Sequence, residues 1–521
     1  MRVCYFTNWS SKRKYVASRF QLGDIDPNLC THLVYAFATI NPNKRILKKT
    51  ETDDDNGSLD NKQGRYFEFT KLKEKYPHLK TMLSVGGQNT KGLFEGKMDS
   101  SASIRQFADN IRIYLKDRNF DGVDIDWEYP AKFYKDRFTE FLRALREDFD
   151  QYAQEGHPRL LLSIAAAPGK DDIDSSYDVA QISRYVDFIN VMAYDYYGQW
   201  SHSAGYNSPL YTTDPSSTLS QNWTINYYLR LGAPPHKLVM GINAAAVGLT
   251  LKDASDNKPG APVINGGVPK GPILEVPGRR SYQEMCSLLR TSGFSTHWDQ
   301  GHAMTYALKG NQWFGYETER SVKTKVEYAM NLGLGGVMFW SLDIDDFTGN
   351  YCKRGRYPLL TAIAKTSQEY KPIITTTQTT KKPTTKTQPI TSSHPLLTAI
   401  AKTSQEYKPI ITTTQTTKKP TTKTQPITSS QSRNSSTVET VSAGNSSLNS
   451  SQSHETFSVQ TTTESKEVFE TTQPHVTFPV QTTPEKRGGF RMFYVIDSAS
   501  NSKSSCVIVF CLLFVIHIFI R

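Results

Sequence analysis

The amino-acid sequence reads as an α/β protein whose parallel strands close into a barrel. Short apolar, β-branched runs recur at Val3–Phe6, His32–Phe37, Thr81–Val85, Gly122–Trp127, Leu160–Ala165, Phe188–Ala193, Lys237–Ile242 and Gly336–Trp340. The stretches between them, such as Ala102–Arg118 and Lys135–Ala153, carry apolar residues at helical spacing. Nearly continuous apolar strands alternating with helices imply a parallel sheet covered on its outside. Eight such units make a (β/α)8 TIM barrel.

Stretches with helical spacing lie between successive strands. Between the seventh and eighth the gap is too long for one helix. Thr250–Trp313 is rich in Gly and Pro with short strand-like pieces, so residues 244–313 or thereabouts are expected to form a small inserted α+β subdomain. Barrel active sites lie at the C-terminal ends of the strands, where such an insertion would wall a groove.

Composition changes near residue 370. Residues 1–370 have the apolar and aromatic content of one large folded domain, whereas Thr, Ser, Lys, Pro and Gln dominate residues 371–497. A segment of that kind cannot bury enough apolar surface to offset its chain entropy and is expected to be a disordered stalk. A 36-residue unit beginning PLLTAIAKT occurs at 358–393 and again at 395–430. In the first copy PLLTAIAKT can pack as the last barrel helix, which leaves the second copy no vacant place. Two such polar units are too few for a solenoid, and Ser/Thr density with Pro fits an O-glycosylated stalk.

Residues 498–521 end in an apolar run, Cys506–Ile520, shorter than the roughly 20 residues a spanning helix needs. Small residues Ser498, Ala499 and Ser500, a shorter-than-usual polar spacer and this tail follow the order of a glycolipid-anchor signal. A short membrane segment and an accidental apolar end are the alternatives.

The net charge of +11 includes stalk lysines such as Lys381, Lys382, Lys418 and Lys419. With no compact basic motif interleaved with aromatics, nucleic acid is excluded as a partner. Cys4, Cys30, Cys286 and Cys352 form an even set that permits two disulfides, with buried free thiols as the alternative. Sequons at Asn56, Asn222, Asn434, Asn445 and Asn449 fit a secretory route and an extracellular or cell-surface location. Met1 leads straight into RVCYFTNWS, a core-strand pattern, so a signal peptide is expected upstream of this chain. No metal-ligand cluster or phosphate loop stands out, and no cofactor is implied.

The chemistry concentrates in FDGVDIDWEYP, Phe120–Pro130. Asp124, Asp126 and Glu128 alternate with Val123, Ile125 and Trp127, so period-two geometry points the three carboxylates one way and the apolar residues the other. Close carboxylates cannot all ionise freely, and one of them retains its proton near neutral pH. Glu128, outermost, is the natural proton donor. Alternation with bulky apolar residues argues against a solvated acidic loop.

This stretch resembles the active-site signature of glycoside hydrolase family 18, the animal-type chitinases and their lectin relatives. Further similarity runs through CYFTNW, YAFA at Tyr35–Ala38, SVGG at Ser84–Gly87, MAYDYYGQW at Met192–Trp200, YNSPLY at Tyr206–Tyr211, GNQWFGY at Gly310–Tyr316 and FWSLDIDDFTG at Phe339–Gly349. The resemblance implies a retaining, substrate-assisted chitinase acting on chitin or chitooligosaccharides. On it, Glu128 protonates the glycosidic oxygen and the substrate's own acetamido group attacks. Asp126 holds the acetamido N–H, Asp124 tunes Asp126, Tyr194 bonds the acetamido oxygen, and Asp195 and Tyr129 line the same subsite. Trp340 becomes the platform beneath the cleaved sugar, with Tyr5, Trp9, Phe37, Gly86, Gly87, Met192 and Trp200 at other groove positions. The implied disulfides are Cys4 with Cys30 and Cys286 with Cys352.

Two departures stand out against that resemblance. Gln88 replaces a Trp that relatives commonly carry after the double glycine. Where relatives have a segment like PTYGRSF, this chain reads Asn243 to Leu249, with Ala245 and Val247 in place of a substrate-contacting Tyr and Arg. A chitin-binding lectin with little turnover, or a glycosidase for other N-acetylglucosamine-containing glycans, is the competing expectation.

Overall fold

Strand β1 (Arg2–Thr7) pairs in parallel with both β2 (His32–Ile40) and β8 (Gly336–Trp340). That double pairing closes the sheet. The ring continues through β3 (Lys80–Gly86), β4 (Gly122–Asp126), β5 (Leu161–Ala166), β6 (Phe188–Val191) and β7 (Leu238–Asn243), every neighbouring pair parallel. The computed structural model describes residues 1–55, 64–90 and 92–370. The stalk, the second repeat copy, the apolar tail and the sequons at Asn56, Asn434, Asn445 and Asn449 lie outside the described residues.

Alternation along each strand sorts side chains into two layers. Val3, Tyr5, Val34, Ala36, Met82, Val239 and Met338 fill the barrel interior. Cys4, Phe6, Leu33, Tyr35, Leu83, Val123 and Ile125 face outward into the larger core shared with the helices. The helices expected at 102–118 and 135–153 run Ser101–Asp117 and Lys135–Gln154. The first starts where the Ser100 side chain accepts from the Ser103 N–H, satisfying one of the free donors of a helix start. PLLTAIAKT forms the start of the helix Pro358–Glu369, packed through Leu359, Leu360 and Ile363.

After β7 the chain leaves the barrel for a second, antiparallel sheet. Ala246–Leu251 pairs with Gln312–Tyr316, Val263–Ile264 and Arg279–Arg280, and Met304–Lys309 and Ser295–Asp299 extend it. The helix Tyr282–Thr291 opens with a capping box between Ser281 and Glu284. These strands run from Ala246 to Tyr316, against an expected 244–313. A short strand at Leu47–Lys49, absent from the sequence reading, adds antiparallel to the end of β2. Its three residues carry two lysines and no apolar alternation long enough to register.

Cys4 bonds Cys30, tying β1 to the segment before β2. Cys286 bonds Cys352, joining the inserted helix to the loop after β8 across 66 residues. Closing a loop of that length removes about 4 kcal/mol of unfolded-state entropy in the chain-entropy model. The double variant Cys286→Ala/Cys352→Ala is therefore expected to lose about 2–4 kcal/mol in denaturant titration. An unchanged midpoint at unchanged slope would show that the bond does not restrain the unfolded chain.

Candidate active site

The C-terminal end of β4 delivers the acids. Val123, Ile125 and Trp127 join the outer core, and Asp124 is fully buried in the interior. Register places Ser84 and Ser163 on either side of Asp124. Tyr5 Oη and Ser84 Oγ donate to its Oδ2 at 2.7 and 2.8 Å, and Ser163 Oγ and Asn190 Nδ2 donate to its Oδ1 at 2.7 and 3.2 Å. Four donors hold this carboxyl in place, while burial raises its pKa.

Asp126, also buried, has no such escort, and its Oδ1 lacks a hydrogen-bond partner. Burial first, then the charges of Glu128 and Asp124, pushes its pKa well above the usual carboxylate range. The backbone around it explains the double glycine. Gly87 N donates to the Asp126 carbonyl at 2.8 Å, and a Cβ on Gly86, whose φ is +122°, would sit 2.0 Å from that oxygen. Only glycine permits this approach.

Glu128 is half-buried at the mouth. Burial, then the negative charge of Asp195, lifts its pKa to about 7. Tyr194 follows β6 and is buried, and its hydroxyl has only the weak acceptor Met338 Sδ at 3.9 Å. The next residue, Asp195, has left-handed backbone at φ 59°. Asn207 Nδ2 donates to its Oδ1 at 2.5 Å, and Arg279 Nη2 donates to its Oδ2 at 2.7 Å.

These groups open onto a groove of about 940 Å³ lined by Tyr5, Trp9, Phe37, Gly86, Gly87, Asp126, Glu128, Tyr129, Met192, Tyr194, Asp195, Trp200 and Trp340. Asp124 lies beneath it. Phe37 stacks between Trp9 and Trp340 at centroid distances of 5.8 and 6.1 Å. Trp9 and Trp200 are exposed, at 40% and 53%, as a surface for a flat apolar face must be. Tyr5 is different, being buried within the barrel. Its ring supports Trp340 at 5.4 Å while its hydroxyl serves Asp124.

Arg279 and Asn243 line the groove as well, and sequence reasoning did not single them out. Arg279 sits in a Gly/Pro-rich stretch with no periodicity to mark it. Asn243 stands opposite Trp340 in the β7–β8 register, and its Nδ2 is buried without a partner while its Oδ1 accepts from Ala245 N at 2.8 Å. Gln88 also lines the groove, at the position where the resemblance led one to expect Trp. Among the described residues no group of three or more His, Cys, Asp or Glu could hold a metal ion.

A carboxyl with its pKa near neutral, set at the mouth of a β/α barrel beside stacked, solvent-facing aromatics, defines a barrel of the glycoside hydrolase class. The chain belongs to the glycosyl hydrolases family 18, whose model matches residues 1–345. It is 39% identical over 373 residues to human chitinase-3-like protein 2, covering 70% of this chain and 91% of that protein. With mouse chitotriosidase-1 the identity is 37% over 369 residues, covering 69% of this chain and 76% of the relative. The solved structure of human YKL-39, described as a pseudo-chitinase with retained chitooligosaccharide binding properties, matches with a TM-score of 0.65 at 37% identity, over 70% of this chain and 98% of that one.

Proposed function

We propose that this chain is a chitinase that hydrolyses β-1,4-linked N-acetylglucosamine polymers with retention of configuration, Glu128 being the proton donor. The observation that carries this reading is Glu128 itself, a carboxyl with its pKa lifted to about 7, beside Asp126 at the groove. In the first step Glu128 gives its proton to the glycosidic oxygen as the bond to the anomeric carbon breaks. The acetamido carbonyl oxygen of the same sugar forms the new bond to that carbon, so the protein supplies no covalent nucleophile. Asp126 accepts from the acetamido N–H, and its unpartnered Oδ1 leaves it free to do so. Tyr194 donates to the acetamido oxygen, and Trp340 lies under the sugar. Water then attacks the anomeric carbon, the bond from that carbon to the acetamido oxygen breaks, and the water gives a proton to Glu128.

A general acid works only while protonated. With Glu128 near 7, turnover is expected to be sustained below that pH and to fall about tenfold per unit above it. A rate that keeps rising to pH 9 would assign the acid to another group.

The second reading, a lectin with little turnover, is favoured by Ala245 and Val247, both buried where the resemblance implies a substrate-contacting Tyr and Arg. Cleavage of a fluorogenic chitotriose analogue, with pull-down on insoluble chitin from the same preparation, separates the two. Turnover supports the enzyme, and binding without turnover makes the barrel a lectin. Parallel digestion of N-glycan cores tests the narrower substrate alternative. The disulfides and sequons support an extracellular or cell-surface setting, in which residues 371–497 would act as a stalk and the 498–521 tail as its attachment to the membrane.

A further inference from the structure

The inserted sheet brings a cation to the groove from an unexpected place. Arg279 pairs directly opposite Val247 across two antiparallel strands, and residues opposite each other in such a pair project from the same face. Val247 is the position where the resemblance implies an arginine. The guanidinium missing there is present one strand away.

Local backbone aims it. Gly278, with φ +71°, precedes Arg279, and a Cβ at Gly278 would meet the Gln199 side chain at 2.9 Å. Gly278 N donates to Val268 O and Gly248 N to Gly278 O, both at 2.8 Å. Gly266 N also donates to Gln199 O at 3.0 Å. The Gly266–Gly278 loop is thus clamped onto the loop that follows Asp195. From this perch Nη2 reaches Asp195, and Nε and Nη1 have no protein partner among the described residues. Asp195, whose backbone is left-handed, has its carboxylate held from two sides, by Asn207 and by Arg279.

We propose that Arg279 is a positioning and specificity residue of the groove, fixing Asp195 and offering its remaining N–H groups to a sugar hydroxyl or acetamido oxygen, in place of the arginine absent at position 247. This inference rests on the chitinase reading and names the residue that makes the altered segment after β7 workable. Asp195 remains Asn207-bonded without it, so folding does not depend on the pair.

The test is KM and kcat on the fluorogenic chitotriose analogue, with calorimetric chitotetraose affinity in a Glu128→Gln background. Arg279→Ala is expected to raise KM and weaken affinity by about tenfold, the size of a lost charge-assisted hydrogen bond, at unchanged melting temperature. Arg279→Lys should recover part of that loss, which a merely structural role would not predict. In an Asp195→Asn background the cost of Arg279→Ala should shrink to the part that comes from its direct sugar contact, because the remainder acts through Asp195. The proposal is overturned by an Arg279→Ala variant that binds and turns over like wild type, or by an equal cost in both backgrounds. Wild type that neither cleaves nor binds would instead bring down the chitinase reading, and this inference with it.

Discussion

Replacing Glu128 by Gln is expected to lower turnover of the chitotriose analogue by about 10²–10⁴ while leaving the fold and sugar binding in place. The substitution keeps shape and polarity but removes the proton. No neighbour can take over the task. Asp124 is fully buried and held by four donors, and Asp126 lies deeper than Glu128 along the same alternation. Asp195 is committed to Asn207 and Arg279. The variant should also lose the alkaline fall of the pH profile, since the group that titrates near 7 is gone. Because the charge of Glu128 helps to raise the pKa of Asp126, Asp126 should ionise more readily in the variant. Activity retained within tenfold would remove Glu128 from the chemistry, whatever the family resemblance.

The barrel was legible because its strands are buried on both faces, so each reads as a short apolar run bounded by turns. All eight runs became barrel strands, with ends shifted by a few residues. The acids were legible for a related reason. Asp124, Asp126 and Glu128 interrupt such a run at period two, and buried charge at that spacing has few structural explanations. What escaped the sequence depends on contacts made across the chain. Arg279 is 84 positions from Asp195, and nothing local marks it. The Trp9–Phe37–Trp340 stack joins side chains from three separate segments that meet only when the barrel closes. Tyr5 shows the limit of position by resemblance, since its placement at the groove is real but its hydroxyl is directed to Asp124.

A cluster away from the groove yields the second large expected effect, this one on stability. Lys325, in the helix Glu319–Asn331, and Glu317 just ahead of that helix form an ion pair with side chains 0% and 1% exposed. Each charge is further satisfied. Lys325 Nζ donates to Ser208 O at 2.5 Å, while Ser208 Oγ and Ser321 Oγ donate to the two Glu317 carboxylate oxygens at 2.8 and 2.6 Å. Ser208 belongs to the segment that carries Asn207, the partner of Asp195, so the pair braces the support of the groove wall. Lys325→Met is expected to cost about 3–5 kcal/mol, because it strands a buried carboxylate that two hydroxyls cannot neutralise. Burial alone lowers the pKa of Lys325, a sign that desolvation has already consumed much of what the pair's attraction returns. The double variant Lys325→Met/Glu317→Gln should therefore be more stable than the single one, with the amide still accepting from a serine hydroxyl. Chemical denaturation of the three proteins decides the matter: a double variant no better than Lys325→Met would mean that the lysine contributes through packing and not through its charge.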